Sequence, residues 1–493
     1  MSQNNVESKE EIGAETKEKW WSKMIDHKEA KYQSLFSLPI ILITVSYYAI
    51  PLVSVMFAGH LGELELAAAT LAQSWATVTG QSLMVGLSGA LETLCGQGYG
   101  AKQYRMLGIY LQANCIISLF FSFIVSIIWF FSEQILNVLL HQDPEISRLA
   151  GVYLKFLIPV IFAYSLLHNI LRFLQMQSII LPLIVCSIVP LAIHIGVAYT
   201  LVHFTSLGIK GAPIAVCISM YISVAMLGIY ILRAKRFEHT WKGFTFESFH
   251  HIVSNMKLAL PSAGMMCLEY WAFEILVILA GLMPNSKIAT PVIAMSVNTE
   301  AIAFMGAYAL SAAASTRVSN ELGGGDSTKA KHAMVVTLKL TILLAILVDL
   351  ALGFGHPTWA GLFTKSSAVK EKFGSIIPVL LVSIALDYFQ GVLSGVARGV
   401  GWQSWVVWIN LATYYLVGMP IACLLGFKLK LHEKGLWIGM TCGLACQGVG
   451  LLFLTFLTKW TRADFTSEHK DDIEEVEVQQ PRQIKSILRS PLP

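Results

Sequence analysis

The 493-residue chain has little charge. Asp, Glu, Lys and Arg together make up 13% of it, whereas apolar residues make up 55%. In a soluble domain about a quarter of the residues are charged. So low a charge content over so long a chain argues against a globular enzyme and predicts a protein that crosses a membrane many times. The net charge of +4 gives no indication of a nucleic-acid partner.

Metal-site and signal-peptide patterns are also missing. The eight cysteines, among them Cys95, Cys115, Cys186 and Cys267, stand singly in or beside apolar stretches, and no histidine cluster has the spacing of metal ligands. We therefore expect reduced cysteines in the core and no metal site. The first thirty residues mix both signs of charge and have no apolar centre, so no cleavable signal peptide is expected.

Long apolar runs, in contrast, are abundant. A helix needs roughly 20 mainly apolar residues to cross a bilayer. Twelve such stretches follow one another along the chain, near residues 35–58, 66–92, 108–132, 148–168, 177–202, 209–232, 254–282, 288–315, 333–354, 373–396, 402–427 and 434–458. The sequence therefore predicts an all-α polytopic membrane protein with twelve transmembrane helices, which we number spans 1 to 12.

A long polar break after span 6 divides the spans six and six. The predicted organisation is a cytosolic tail, an N-lobe, a cytosolic linker, a C-lobe and a second cytosolic tail, at residues 1–34, 35–232, 233–253, 254–459 and 460–493. A short surface helix is predicted at Trp20–Lys31, and the charged C-terminal tail is predicted to be disordered. Lys and Arg are modestly more frequent in the loops on the side of the N-terminus, so we expect both termini in the cytosol.

The two lobes carry matching motifs at a nearly constant offset. ETLCGQGYGAK at the end of span 2 aligns with STRVSNELGGG at the end of span 8, so that Gly100 matches Gly323. RFLQMQS aligns with RGVGWQS in the same way, pairing Arg172 with Arg398, and we expect both arginines to anchor lipid headgroups or inner loops. Matches in chain order indicate an internal duplication. With six spans each, the lobes are predicted to be related by a pseudo-twofold axis along the membrane normal, with a site between them.

Four acidic residues fall inside predicted spans of the C-lobe. Glu269 and Glu274 lie in span 7, Glu300 in span 8 and Asp387 in span 10. A charge at the centre of a membrane helix costs roughly 2.5–3.5 kcal/mol on insertion scales, so such residues usually face a polar interior. Burial and neighbouring like charges both favour the protonated form of a carboxylic acid. We therefore interpret the acids as an exchangeable proton store, with Glu269, Asp387 and Glu274 as the proton-coupling residues.

Aromatic and polar neighbours of these acids suit a flat cationic or conjugated ligand. The predicted substrate-binding residues are Glu269, Asp387, Glu300, Asn298, Tyr270, Trp271, Tyr388 and Gln73. Structural interpretations remain open for several of them. Glu274 lies about 140° around the helix from Glu269, so it would instead bond a neighbouring helix. Glu300 and Gln73 would make contacts between helices, and the aromatics would fill the core or the interface belts.

Motifs around these acids also resemble a known family. The segments are SVMFAGHLGELELAAATLAQSW, GALETLCGQGYGAKQY, CLEYWAFEILVILAGLMPN, AASTRVSNELG and LDYFQGVLSGVARGVGWQ. They resemble the eukaryotic multidrug and toxic compound extrusion (MATE) transporters, and within these the plant detoxification-type branch. The resemblance covers residues from about 35 to about 460, and it implies the MATE fold, a V-shaped pair of six-helix lobes.

The resemblance also implies site roles. The first Glu of the family's C-L-E-x-W motif and the Asp of its L-D-x-x-Q motif are implicated in proton and substrate coupling, and they fall on Glu269 and Asp387. The second Glu of the first motif falls on Glu274. Many bacterial relatives carry an Asp in the first span where this chain has Ser54, so their first-lobe proton mechanism is not expected here.

The residues and the resemblance together predict a proton-coupled antiporter with alternating access. It would export organic cations, plant secondary metabolites or xenobiotics, such as alkaloids, phenolic amides or flavonoid conjugates, across the plasma or vacuolar membrane. We expect a monomer whose partners are a small cationic or aromatic substrate, protons and membrane lipid, and which uses the proton gradient and no cofactor. The alternatives are a flippase for a lipid-linked precursor, whose phosphates would favour a more cationic interior, and a channel. An enzyme is not predicted, because no span carries a recognisable set of nucleophile, base and orienting group.

Overall fold

The computed structural model describes residues 26–139 and 142–461, and within those residues it is helical, without a β-strand. Both predicted tails lie largely outside the described residues. The predicted surface helix at Trp20–Lys31 falls outside them up to residue 25, and from His27 onward it is the beginning of span 1. The prediction of an all-α chain is therefore confirmed for the part of the sequence that the structure describes.

Ten of the twelve spans are single helices. Their bounds are His27–Gly59 (span 1), Tyr104–Phe130 (span 3), Pro144–Met176 (span 4), Leu181–His203 (span 5), Gly211–Arg233 (span 6), Ile252–Gly281 (span 7), Ser286–Gly323 (span 8), Ser327–Phe363 (span 9), Ser367–Val400 (span 10) and His432–Leu457 (span 12). Several are longer than the predicted apolar runs, because the helix continues through the polar residues at the ends of each run.

Spans 2 and 11 contain π-helical turns, which occur mostly as single turns within α-helices and often at functional sites. Span 2 consists of Glu63–Ala76, a π-turn at Thr77–Gln81, Ser82–Ser88 and Ala90–Gly100; span 11 consists of Gln403–Asn410, a π-turn at Leu411–Gly418, Met419–Cys423 and a π-turn at Leu424–Lys428. Among the described residues, eleven helical segments are long and apolar enough to cross a membrane. Span 2 is not one of them, since its interruptions divide it into short helices.

Short elements complete the chain, and caps fix several span ends. These elements are Ser132–Gln134, a π-turn at Ile135–Leu139, 3-10 turns at Gly208–Lys210 and Lys235–Phe237, and Glu247–His250. The carboxylate of Asp26 accepts from the backbone N–H of Lys28 at 2.9 Å and caps span 1. Asp326 caps span 9 in the same way. Span 10 ends at Val400 and is followed by Gly401, whose φ of 103° favours glycine.

Buried apolar side chains cluster by lobe. One cluster contains residues from Phe36 to Ala263 together with three alanines of span 8. Two further clusters contain only residues from Met265 onward. Large apolar side chains such as Phe123 and Phe453 are exposed on the outer faces of the spans. They form the surface that faces lipid, where helices satisfy their own backbone hydrogen bonds.

The ends of spans 2 and 8 cross where the lobes meet. A Cβ atom at Gly100 would lie 1.9 Å from the carbonyl oxygen of Asn320, and one at Gly323 would lie 2.1 Å from the carbonyl oxygen of Gln97. Gly100 matches Gly323 in the repeat and Gln97 matches Asn320, so the contact is reciprocal, as a twofold relation between the lobes requires. The crossing lies on the side of the bundle at which span 1 begins, which we call the N-side.

Polar contacts also join the lobes on the N-side. The side chain of Gln97 donates to the carbonyl oxygens of Gly399 and Val400 at 3.0 and 3.1 Å. The guanidinium of Arg317 on span 8 makes a two-pronged contact with Glu29 on span 1, with both distances 2.8 Å. Close backbone packing and these bonds together close the N-side of the interface between the lobes.

The segment between the lobes is fastened to span 3. The side chain of Gln112 donates to the carbonyl oxygen of Gly243 and accepts from the backbone N–H of Thr245, both at 2.9 Å. At the start of span 7, Asn255 donates to the carbonyl oxygen of Tyr110 on span 3 at 3.0 Å. The predicted linker is therefore an ordered segment that packs on the N-lobe.

Candidate functional site

Two of the predicted acids are joined by one amide in the C-lobe. Gln390 on span 10 donates to Glu269 on span 7 at 3.1 Å and to Asp387, one helical turn before it, at 2.7 Å. Its own carbonyl oxygen accepts from the hydroxyl of Ser394 at 3.1 Å. Asp387 and Gln390 share a face of span 10 because they are three residues apart. The structure thus places Glu269 and Asp387 around a single buried hydrogen-bond donor.

A small pocket opens beside this pair between spans 7, 8 and 10. Its lining residues are Met266, Glu269, Phe304, Tyr308, Ser311, Gln390, Gly391, Ser394 and Arg398. The lining combines one carboxylate, one guanidinium, two aromatic rings and several neutral hydrogen-bonding groups. In this state the pocket has room for about one water molecule, so it marks where polar and aromatic groups converge and is not a preformed cavity for an organic molecule.

Glu300 is buried close to the same pair. It accepts a hydrogen bond from Ser383 at 2.7 Å, and Ser383 stands one turn before Asp387 on span 10. The indole N–H of Trp437 donates to the same serine at 3.0 Å. The second carboxylate oxygen of Glu300 is buried without a hydrogen-bond partner. Three acids of the C-lobe therefore lie along one face of span 10.

Glu274 lies apart from these acids. Its carboxylate accepts from the hydroxyl of Ser74 on span 2 at 3.0 Å. One turn earlier on span 7, the indole N–H of Trp271 donates to the carbonyl oxygen of Val78, also at 3.0 Å. Both side chains therefore join span 7 to span 2. For Glu274 this agrees with the structural alternative, in which it bonds a neighbouring helix because it lies about 140° around span 7 from Glu269.

The remaining predicted substrate residues are not gathered at the pocket, whose described lining does not include them. Tyr388 is buried in the lobe core, where its hydroxyl donates to the carbonyl oxygen of Ala303 at 2.6 Å. The amide of Asn298 donates to its own helix at 2.8 Å. Tyr270 is 41% exposed. Gln73 bonds within span 2, at the π-turn.

Sequence reasoning missed a buried ion cluster between the lobes, which we call the triad: Glu92, Arg172 and Arg398. Arg398 donates from Nε to Glu92 at 3.0 Å, and a terminal nitrogen of Arg172 lies 3.2 Å from the other carboxylate oxygen. Glu92 is 0% exposed, and the arginines are 3% and 5% exposed. The expectation that the arginines anchor headgroups is therefore wrong, because both guanidinium groups are buried and pair with Glu92. Their matching positions in the repeat were the available signal.

Two further pocket residues and one acid were also missed. Tyr308 accepts from Arg172 at 2.6 Å, and Ser311 accepts from Arg398 at 3.0 Å, so both connect the pocket to the triad. Asp349 lies within span 9, near enough to Glu300 for their charges to interact. Its position inside a predicted apolar run was the same signal that identified the other acids.

The N-lobe has neutral groups where the C-lobe has acids. Tyr47, which matches Glu269 in the repeat, contacts the hydroxyl of Ser223 at 2.6 Å. Ser54 contacts Nε2 of the buried His194 at 3.1 Å, and the ring's other nitrogen contacts Ser219 at 3.0 Å. Away from the first turns of the helices, the acids of the described spans thus lie in the C-lobe, apart from Glu92 at the interface.

Twelve helical passes with three acids inside the second lobe, one of which lines a small pocket, are typical of a membrane transporter. The family model of MatE matches the chain twice, over residues 39–200 and residues 261–424. The chain belongs to this family: it is a MATE transporter of the plant DETOXIFICATION type, an integral membrane protein and not an enzyme. One match per lobe also agrees with the duplication read from the sequence motifs.

Relatives and a solved structure give the same result over almost the whole chain. Protein DETOXIFICATION 18 of Arabidopsis thaliana is 57% identical over 440 residues, which are 89% of this chain and 94% of that protein. Protein DETOXIFICATION 15 of the same plant is 42% identical over 453 residues, 90% of this chain and 93% of that protein. The crystal structure of the eukaryotic MATE transporter AtDTX14 superposes with a TM-score of 0.85 at 37% identity, covering 88% of this chain and 96% of that one.

Proposed function

We propose that the protein is a proton-coupled antiporter that exports small organic cations or aromatic metabolites. The observation that carries the proposal is the pair of acids, Glu269 and Asp387, bridged by Gln390 beside the pocket. Because the acids are buried in membrane helices, taking up protons is less costly than remaining fully ionised. An arriving cation supplies the positive charge that the protons supplied before, so the two compete for one site.

The cycle follows from that competition. Protons from the outer or vacuolar side bind Glu269 and Asp387 and release the substrate, and the protonated protein then opens to the cytosol. Cytosolic substrate displaces the protons there and is carried out. In this cycle the N-side is the cytosolic gate, and both termini lie in the cytosol, which the modest excess of Lys and Arg in the loops on that side supports. The cycle uses the proton gradient and no cofactor.

The proton gradient provides enough free energy for this exchange. A tenfold gradient supplies about 1.4 kcal/mol per proton. If net charge moves, a membrane potential of about 100 mV adds about 2.3 kcal/mol per elementary charge. One proton per substrate therefore supports accumulation of roughly tenfold or more.

The pocket lining favours an organic cation over a phosphate-bearing lipid precursor. Glu269 would repel a phosphate, and the guanidinium of Arg398 is already bonded to Glu92. Phe304 and Tyr308 supply ring faces for stacking or cation–π contact. The flippase alternative has no corresponding feature among the described pocket residues.

The test is transport by purified protein in proteoliposomes under an imposed pH gradient, with ethidium as an aromatic cation. We expect Glu269→Gln and Asp387→Asn each to abolish proton-driven ethidium movement and the accompanying proton flux, while expression and folding stay normal. Glu133→Gln is the matched control, because it removes a carboxylate of the N-lobe whose ion-pair partner, among the described residues, is Lys155 at 3.6 Å. Full transport by either C-lobe variant would reject the assignment.

A further inference from the structure

The triad lies across the interface between the lobes, so its stability is part of the closure of the N-side. Glu92 and Arg172 belong to the N-lobe and Arg398 to the C-lobe. Removing one partner from a buried ion cluster is strongly destabilising, because the remaining charge is left uncompensated. Any change in the charge balance around these residues therefore acts on the closed state.

The duplication explains why the triad is unbalanced. Arg172 and Arg398 end spans 4 and 10 at matching positions, so each lobe contributes one guanidinium. The residue that matches Glu92 in the second lobe is Ser315, which is buried and uncharged. Two arginines thus meet one carboxylate, and the triad has a net charge of +1 when all three groups are ionised.

The pocket brings a second carboxylate to this excess charge. Arg398 and Glu269 line the same pocket, and Arg398 also donates to Ser311 on its wall at 3.0 Å. With Glu269 ionised, the triad and Glu269 together are neutral. With Glu269 protonated, one positive charge remains buried between the lobes without compensation, which is unfavourable in a low-dielectric interior.

Other ionisable groups surround Glu269 and the triad, so the experiment must distinguish their titration from that of Glu269. Those around Glu269 and the triad are Asp387, Tyr270, Tyr308, Tyr414 and His168. Asp387 shares the amide of Gln390 with Glu269, and the charges of the two acids also interact directly. His168 stands one turn before Arg172 and packs on Tyr164 with ring centroids 4.3 Å apart.

We propose that the triad is a charge-sensing lock on the N-side, held closed by ionised Glu269 and weakened when Glu269 takes up a proton. The inference deepens the proposed function, since it rests on proton binding at Glu269. It makes Glu92, Arg172 and Arg398 positioning residues of the transport cycle. It also fixes the direction of coupling: a bound proton opens the N-side, and loss of the proton closes it. An antiporter needs this order, because its protonated form must turn toward the cytosol.

The test is hydrogen–deuterium exchange of the full chain in lipid nanodiscs, without substrate or gradient, across a pH series corrected for intrinsic exchange rates. The amides to follow are those of residues 93–100 and 316–323, where the lobes cross. In the wild type we expect protection there to fall as the pH falls, by about 5- to 150-fold, the usual range of coupling between sites. Glu269→Gln should show the weak low-pH protection at every pH.

Two variants change the charge of the triad in opposite directions. Glu92→Gln raises its net charge to about +2 by leaving two arginines without an acid, and we expect an open N-side at every pH. Arg172→Gln leaves one guanidinium with one carboxylate, so that a protonated Glu269 leaves no excess charge in the triad. We therefore expect protection that no longer falls as the pH falls. Ser315→Asp adds the missing acid and should match Arg172→Gln; the arginine variant decides the question if the aspartate variant does not fold.

Two controls separate the lock from simple loss of contacts. Arg317→Gln removes the ion-pair partner of Glu29 and Glu321 on the N-side without changing the charge of the triad. Protection should therefore fall equally at every pH, while the pH response persists. His168→Asn should leave the response unchanged. A fall in protection at low pH that persists in Glu269→Gln or Arg172→Gln, or that disappears in His168→Asn, would overturn the lock. Because no substrate or gradient is present, that outcome is distinct from failure of the proteoliposome test.

Discussion

Replacing Gly100 by alanine should push the protein toward the state that is open on the N-side. The new Cβ would lie 1.9 Å from the carbonyl oxygen of Asn320, whereas ordinary contacts begin at 3.4 Å. The contact is with backbone, so no side chain can rotate away, and the two helices must separate by about 1.5 Å. The separation weakens only the closed state, because the crossing exists only while the lobes meet there.

The expected size of the effect follows from overpacking. Forcing extra methyl groups into close-packed contacts costs about 1–3 kcal/mol. Applied to the closed state alone, that changes the ratio of open to closed protein by about 5- to 150-fold. Gly323→Ala should act in the same way at the reciprocal contact, 2.1 Å from the carbonyl oxygen of Gln97. Since both changes displace one crossing, the double variant should cost less than the sum of the single ones.

The assay is pulsed electron paramagnetic resonance between spin labels at the exposed Lys235 and Thr328, at the N-side ends of the two lobes. The labels require a background in which the eight cysteines are replaced and transport is retained. Gly196→Ala is the matched control, because a Cβ there meets nothing within 4 Å. An unchanged distance distribution in Gly100→Ala, alongside an unchanged control, would refute the reasoning.

Three further predictions concern other contacts. Glu274→Gln should keep both transport and the hydrogen bond from Ser74. Glu274→Ala loses that bond, so its free energy of unfolding should fall by about 1 kcal/mol, which a melting assay would detect as a lower melting temperature. His194→Ala leaves two buried serine hydroxyls without their ring partner and should cost about 1–3 kcal/mol of unfolding free energy, without altering the pH profile of transport. The backbone N–H of Lys329 holds the pKa of Asp326 below its usual range, so this cap stabilises span 9 at higher pH and is lost as the pH falls through the lowered pKa. Amide exchange in the first turn of span 9 should therefore rise at low pH in the wild type but not in Asp326→Asn.

The fold could be predicted from the sequence because the length and apolar composition of a membrane helix identify it. Twelve apolar runs predicted the twelve helical passes. The matched motifs predicted the internal duplication and the pseudo-twofold relation, with which the reciprocal crossing at Gly100 and Gly323 agrees. The π-turns were not predicted, since the residues 77–81 and 411–418 carry no distinctive pattern. Span 2 illustrates the limit: its apolar content was evident, but its division into short helices depends on packing against span 7.

The candidate site was only partly accessible, for a physical reason. An acid inside an apolar run is visible one residue at a time, so Glu269, Glu300 and Asp387 could be predicted singly. Which neighbour each one meets depends on helix rotation and tilt. The bridge through Gln390 and the inward turn of Arg398 toward Glu92 are contacts between spans far apart in sequence, and single-sequence periodicity does not encode them.

The ordered connection on span 3 has a consequence for how the halves travel. Gln112 bonds Gly243 and Thr245, and further along the chain Asn255 bonds Tyr110. The lobes are therefore not joined by a flexible linker of about twenty residues. The last fixed point of the connection is the first turn of span 7. We therefore expect any rocking of one lobe against the other to pivot close to that turn. The swing is therefore smallest at the root of the helix that carries Glu269 and grows toward its far end.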